Sequence, residues 1–214
     1  MNKFDLSLYL VTDRTLSMGR PLSYIVEEAV LGGVTIVQLR EKDCSSREFY
    51  ELAVQLKNLL KPYRIPLIIN DRLDIALAAD ADGLHIGQGD LPWDIARKIL
   101  GREKIIGLSV ENLPQAYEAN NMDIDYIALS PVYCTATKTD TNLPLGLEGV
   151  KEISLVTRHP TVAIGGLNMR NAAEVLKSGA SGIAVVSAIV SSPNPRQAAK
   201  ELKTLFPHPK KSFS

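Results

Sequence analysis

Short apolar runs alternate along this chain with longer stretches in which apolar residues recur every three or four positions. The runs have strand length and are too apolar for one face to be wet, whereas the stretches carry the single stripe of a helix packed on one side. Leu6 to Val11 predicts the first strand, and Leu22, Ile25, Val26, Ala29 and Val30 predict a helix closed by Gly32-Gly33. Val34 to Gln38 predicts the second strand. Ser45 with Glu48 three residues on predicts a capping box, opening a helix with Phe49, Leu52, Ala53, Leu56, Leu59 and Leu60 on one face. Leu67 to Ile69 and Gly83 to Ile86 are the third and fourth strands. Their helices are marked by Leu73, Ala76 and Leu77, and by Pro92 in a first turn with Ile95, Ala96, Ile99 and Leu100 inward. Ile105 to Leu108, Tyr126 to Leu129, Thr161 to Ile164 and Gly182 to Val186 complete the strands. The remaining helices lie on Leu113, Ala116 and Tyr117, on Leu147, Val150 and Ile153, on Ala172, Val175 and Leu176 with Asn168 as cap, and on Pro195, Ala198, Ala199, Leu202 and Leu205. Few apolar residues fall between Thr135 and Leu147, which predicts a long mobile loop.

Eight strand-helix units imply an α/β protein, a closed (β/α)8 barrel, with an open doubly wound sheet as the alternative. Residues 1–206 are expected to form one domain and 207–214 a polar, frayed tail. Lys plus Arg and Asp plus Glu number 24 each, so no global field recruits nucleic acid or an acidic membrane surface, and any anion site must be local. No run approaches a membrane span, no signal core opens the chain, and the two cysteines, Cys44 and Cys134, are expected to be free thiols in a reducing cytoplasm. A homodimer stays open.

In a barrel, functional groups follow the strands directly. After the second strand, Gln38, Arg40 and Lys42 recur with a period of two, so an amide and two cations converge on an anion; the alternative is a solvated strand end with Arg40 paired to Glu41 or Asp43. Asn70-Asp71 follows the third strand and Gly87-Gln88-Gly89-Asp90 the fourth. Both aspartates could cap helices, but as a pair beside two cations they offer hard oxygen ligands to Mg²⁺, with substrate phosphates completing the shell. Ser109 after the fifth strand reads as a mouth hydroxyl or a turn serine. The sequence from Ser130 to Lys138 supplies hydroxyls and a cation on a loop able to close over an anion, or else a polar surface loop. Gly165-Gly166 and Val186-Ser187 stand where many barrels bind phosphate, though glycines also serve simple turns. His85 is expected to be packed and hydrogen-bonded; His159 and His208 fall in a loop and the tail.

The segments Tyr9–Asp13, Gln38–Lys42, Asn70–Asp71, His85–Asp90, Gly107–Ser109, Thr135–Lys138, Ala163–Gly166 and Val185–Ser187, in this order, resemble the thiamine phosphate synthase family. The resemblance implies a (β/α)8 barrel that joins a hydroxymethylpyrimidine diphosphate to a thiazole phosphate carboxylate, releasing diphosphate and carbon dioxide. It implies Gln38, Leu39, Arg40, Glu41, Lys42, Asn70, Ser109 and Lys138 for the pyrimidine diphosphate, with Arg40, Lys42 and Lys138 catalytic. It implies Asp71 and Asp90 for Mg²⁺, and Thr135, Ala136, Thr137, Gly166, Val186 and Ser187 for the thiazole phosphate. Gly89, Glu111, Ser130 and Cys134 depart from the family pattern without removing any of these residues. The competing readings are a thiazole tautomerase of the same fold, which resembles the synthase but tends to lack the diphosphate set and to use a mouth histidine, and a catalytically silent phosphate-binding barrel.

Overall fold

The computed structural model describes residues 4–134 and 143–206. Its strands are β1 (Leu8–Val11), β2 (Ile36–Leu39), β3 (Leu67–Asn70), β4 (Gly83–Ile86), β5 (Ile105–Val110), β6 (Tyr126–Leu129), β7 (Thr161–Ile164) and β8 (Gly182–Val185). All pair in parallel with their sequence neighbours. Pairing of β1 with β8, Tyr9 opposite Ala184, closes the barrel and excludes the open sheet. The helices α1 (Leu22–Leu31), α2 (Ser46–Leu60), α3 (Leu73–Ala78), α4 (Trp93–Leu100), α5 (Leu113–Ala119), α6 (Gly146–Val156), α7 (Ala172–Lys177), α8 (Ser187–Val190) and α9 (Pro195–Lys203) lie between and after the strands.

Alternation along each strand divides the core in two. Inward residues, among them Tyr9, Ile36, Ile68, Ile105, Tyr126, Val162 and Ala184, fill the barrel, while the residues between them, such as Leu8, Leu10, Val37, Leu39 and Ile69, pack outward beneath the helices. Strand ends shift from the sequence expectation by one or two residues: β3 takes in Asn70, β5 takes in Ser109, and β2 begins at Ile36 and ends at Leu39. The short α8 directly after β8 was not expected.

Three helical expectations are corrected. In α4, Ile95 and Ile99 are 40% and 48% exposed, and the helix buries Ala96 and Arg97 instead. The Arg97 guanidinium is satisfied by the carbonyls of Gly101, Lys104 and Asp123 and by the Asp125 carboxylate at 2.7 Å, which makes its burial affordable to the fold. In α3, Ile75 is buried and Leu77 is exposed. Asn168 does not cap α7; its side chain accepts from the Arg170 N–H in a preceding turn, and Asn171 holds the cap position. Among the described residues no helix is long and apolar enough to cross a membrane.

Candidate active site

The inward and carboxyl-terminal positions of the strands open onto one cavity of about 500 Å³. Gln38, Arg40, Lys42, Asn70, Asp71, Asp90, Ser109, Gly166, Val186 and Ser187 all line it. Leu39 and Glu41 do not: the pleat that aims Gln38 and Arg40 inward turns these two outward. Leu39 is fully buried in the outer core, and the Glu41 carboxylate bonds Arg14 Nε at 3.0 Å. Any part these two take at the cavity therefore runs through the backbone. Thr135, Ala136, Thr137 and Lys138 lie outside the described residues.

Arg40 pairs with neither Glu41 nor Asp43. Its guanidinium stands 3.6 Å from Asp13, at the end of β1, and its backbone N–H donates to Thr12 Oγ1. Lys42 Nζ donates to Asp71 Oδ2 at 2.8 Å. Asp71 adopts the left-handed conformation, φ 61°, and its own N–H donates to the His85 carbonyl; this turn points the carboxylate across β3 toward β4. Neither aspartate caps a helix. Pro92 and Arg72 occupy the cap positions of α4 and α3 without side-chain bonds, and Asp90 instead accepts the Gly87 N–H at 2.7 Å, closing the loop after β4.

Asp71 and Asp90 both face the cavity, and each influences the ionisation of the other. Burial works to raise Asp71, but the hydrogen bond from Lys42 and the Lys42 charge hold its carboxyl below the usual range. Burial raises Asp90; the Gly87 N–H opposes this, and the neighbouring Asp71 adds to the rise. Two neighbouring carboxylates cannot both ionise cheaply, so Asp71 is the more acidic of the pair and Asp90 the less. A divalent cation held by both would relieve that repulsion. Two carboxylates with open space beside them suit a hard ion that keeps most of its sites for other oxygens. Among the described residues no group of three or more His, Cys, Asp or Glu is placed to hold a metal ion.

The opposite wall is built from backbone. Gly165 and Gly166 have φ of 111° and 66°, and a Cβ on Gly165 would press on Pro131, so glycine is required there. Ser187 opens α8 and is exposed to the cavity mouth. Cys44 and Cys134 do not line the cavity and form no disulfide.

Sequence reasoning missed the floor of the cavity. Gln38 Nε2 donates to the Tyr9 hydroxyl at 2.8 Å, the Tyr9 and Tyr126 hydroxyls are 2.9 Å apart, and His85 lies 3.0 Å from Tyr126 through Nδ1 and 3.0 Å from Ser109 through Nε2. His85 is packed and hydrogen-bonded as expected, stacked on Tyr126 at 5.7 Å. Burial pushes both phenols well above their ordinary value, so they stay neutral. The signal for Tyr9 and Tyr126 was their place at inward strand positions, where an apolar residue would fill the barrel without needing a partner.

A closed parallel barrel that gathers cations, paired carboxylates and glycine turns at the carboxyl ends of its strands is an enzyme of the phosphate-handling barrel class. Residues 8–189 match the family model described as thiamine monophosphate synthase. A thiamine-phosphate synthase of Leptospira biflexa is 51% identical over 203 residues, spanning 93% of this chain and 97% of that protein. One of Clostridium novyi is 48% identical over 198 residues, spanning 92% and 97%. The solved thiamine phosphate pyrophosphorylase of Pyrococcus furiosus superposes with a TM-score of 0.85 at 40% identity, over 94% of this chain and 95% of that one. The chain belongs to the thiamine monophosphate synthase family.

Proposed function

We propose that this cavity joins a pyrimidinylmethyl diphosphate to a thiazole phosphate to give thiamine phosphate, as the names of its relatives indicate for them. The observation that carries the reading is the convergence of Arg40, Lys42, Asp71 and Asp90 on one side of a single cavity, with Gly166 and Ser187 on the other. Two anionic groups can then be held at once, with their reacting ends between them.

The leaving diphosphate needs its charge stabilised as the carbon-oxygen bond breaks. Mg²⁺ held by Asp71 and Asp90 would neutralise diphosphate oxygens. Arg40 and Lys42 supply fixed positive charge at the same wall, and Lys138 is assigned to the same task. Because these groups are in place before the reaction, each contributes by preorganised electrostatics, and removing one is expected to slow turnover by on the order of 10²–10³. Gln38, Asn70 and Ser109 hold the pyrimidine end, with Leu39 and Glu41 contributing backbone groups. Gly166, Val186, Ser187 and the stretch Thr135 to Thr137 hold the thiazole phosphate, which aligns the thiazole nitrogen on the pyrimidinylmethyl carbon. No protein nucleophile takes part. The setting is a reducing cytoplasm.

The test is thiamine phosphate formation by the purified chain with both substrates and Mg²⁺, beside Asp71→Ala and Lys42→Ala. Metal-dependent product that drops at least a hundredfold in both variants is expected. Folded protein that makes no thiamine phosphate would sink this reading in favour of the tautomerase or a binding role.

A further inference from the structure

The hydrogen bonds on the cavity floor form one unbroken chain across the barrel, from Gln38 through Tyr9, Tyr126 and His85 to Ser109. Its direction follows from counting protons. Gln38 Nε2 can only donate, so the Tyr9 oxygen accepts there, and the Tyr126 oxygen is the acceptor at hydrogen-bond distance for the Tyr9 proton. The Tyr126 proton then goes to His85 Nδ1, its remaining neighbour in the chain. A ring nitrogen that accepts carries no proton, so the His85 proton sits on Nε2, facing Ser109 Oγ. Ser109 therefore accepts from His85 and keeps its own proton for the cavity.

The sequence reserves space for this arrangement. Gly107 sits at the inward position of β5 opposite Tyr126, and a Cβ there would collide with the phenol's Cζ and hydroxyl. A barrel interior would gain apolar filling from an alanine at this point; glycine is what lets the ring lie where its hydroxyl meets both Tyr9 and His85.

We propose that Tyr126 is a positioning residue: its hydroxyl fixes His85 as the Nε2–H tautomer and, through Tyr9, fixes the amide of Gln38. The floor then presents an acceptor, Gln38 Oε1, and a donor, the Ser109 hydroxyl, in a set order. That order matches a ring edge carrying an amino group and an unprotonated ring nitrogen, so the substrate side of the proposal rests on the synthase reading above. The tautomer does not.

The test has two arms on the full chain. Long-range ¹H–¹⁵N spectra of the imidazoles at one fixed pH, with His85 identified by comparison with His85→Gln, report which nitrogen is protonated; only three histidines contribute. The parent is expected to show a bare Nδ1 and a protonated Nε2. Tyr126→Phe should move His85 to a mixture of tautomers, while Tyr9→Phe, cut one link further away, should leave its tautomer unchanged. Kinetically, both variants should raise the KM for the pyrimidine diphosphate roughly three- to tenfold and leave that for the thiazole phosphate unmoved. A parent His85 protonated on Nδ1 overturns the proposal even if no variant folds, and so does a tautomer indifferent to Tyr126→Phe. Loss of turnover in a parent with the expected tautomer counts against the synthase reading instead.

Discussion

Glu41 is a carboxylate held where water scarcely reaches it. Its side chain is 4% exposed, one oxygen bonds Arg14, and the other lacks a hydrogen-bond partner, with the Cys44 thiol beside it. Burial is the largest influence and raises its pKa above the ordinary 4.5; the Arg14 charge opposes this without cancelling it. A raised folded-state value means that the native protein binds more protons than the unfolded chain from about pH 4.5 upward to the folded value. Stability contributed at this site therefore falls as pH rises through that window and stays reduced above it. Glu41→Gln keeps the shape and removes the charge. Losing the pair with half-exposed Arg14 is expected to cost at most about 1 kcal/mol. Urea unfolding at pH 5 and pH 8 should show the variant gaining on the parent at the higher pH, and a difference that is constant between the two would refute this account. The same residue shows where motif reasoning stops, because a Gln-x-Arg-x-Lys pattern aims alternate side chains at a ligand and says nothing of what the intervening ones meet.

At the scale of elements, α2 was legible because every signal for it is local. Ser45 Oγ accepts the Glu48 N–H and the Glu48 carboxylate accepts the Ser45 N–H at 2.9 Å, so both expected halves of the capping box form. Ser45→Ala removes the first half and is expected to cost about 1 kcal/mol, read as a lower urea midpoint with an unchanged slope. An unshifted midpoint would mean that tertiary packing of Phe49, Ala53, Leu56 and Leu60 alone sets this helix. The helix α4 was less legible for the opposite reason. Its stripe of Ile95 and Ile99 has the right period, yet Arg97 is buried because carbonyls from Gly101, Lys104 and Asp123 and the Asp125 carboxylate reach it. Those partners follow it by 4 to 28 residues and become visible only once β5 and β6 are in place.

At the scale of the whole molecule, strand count and strand-end chemistry carried the barrel and one wall of the cavity, because each depends on a residue's place in its own strand. The floor depends on register between strands far apart in the chain, such as Tyr9 meeting Tyr126, and periodicity holds no record of that. Closure is of the same kind. Arg20, ahead of α1, donates to the Ser192 and Val190 carbonyls at 2.6 and 2.7 Å and to Ser17 at 3.0 Å, tying the first loop to the end of α8. The Val190 and Ser192 carbonyls lie at the carboxyl end of α8, where a cation is favoured, and the planar guanidinium reaches them and Ser17 at once. Arg20→Met leaves the acceptors without their donor and is expected to cost about 3 kcal/mol. Arg20→Lys should fall between the two, since one ammonium cannot span the set. Because α8 begins at Ser187 on the cavity wall, loosening its far end should raise the KM for the thiazole phosphate more than that for the pyrimidine diphosphate. A lysine variant as stable and as active as the parent would show that barrel closure rests on the β1–β8 pairing and the packing of α1 on α9 without this clamp.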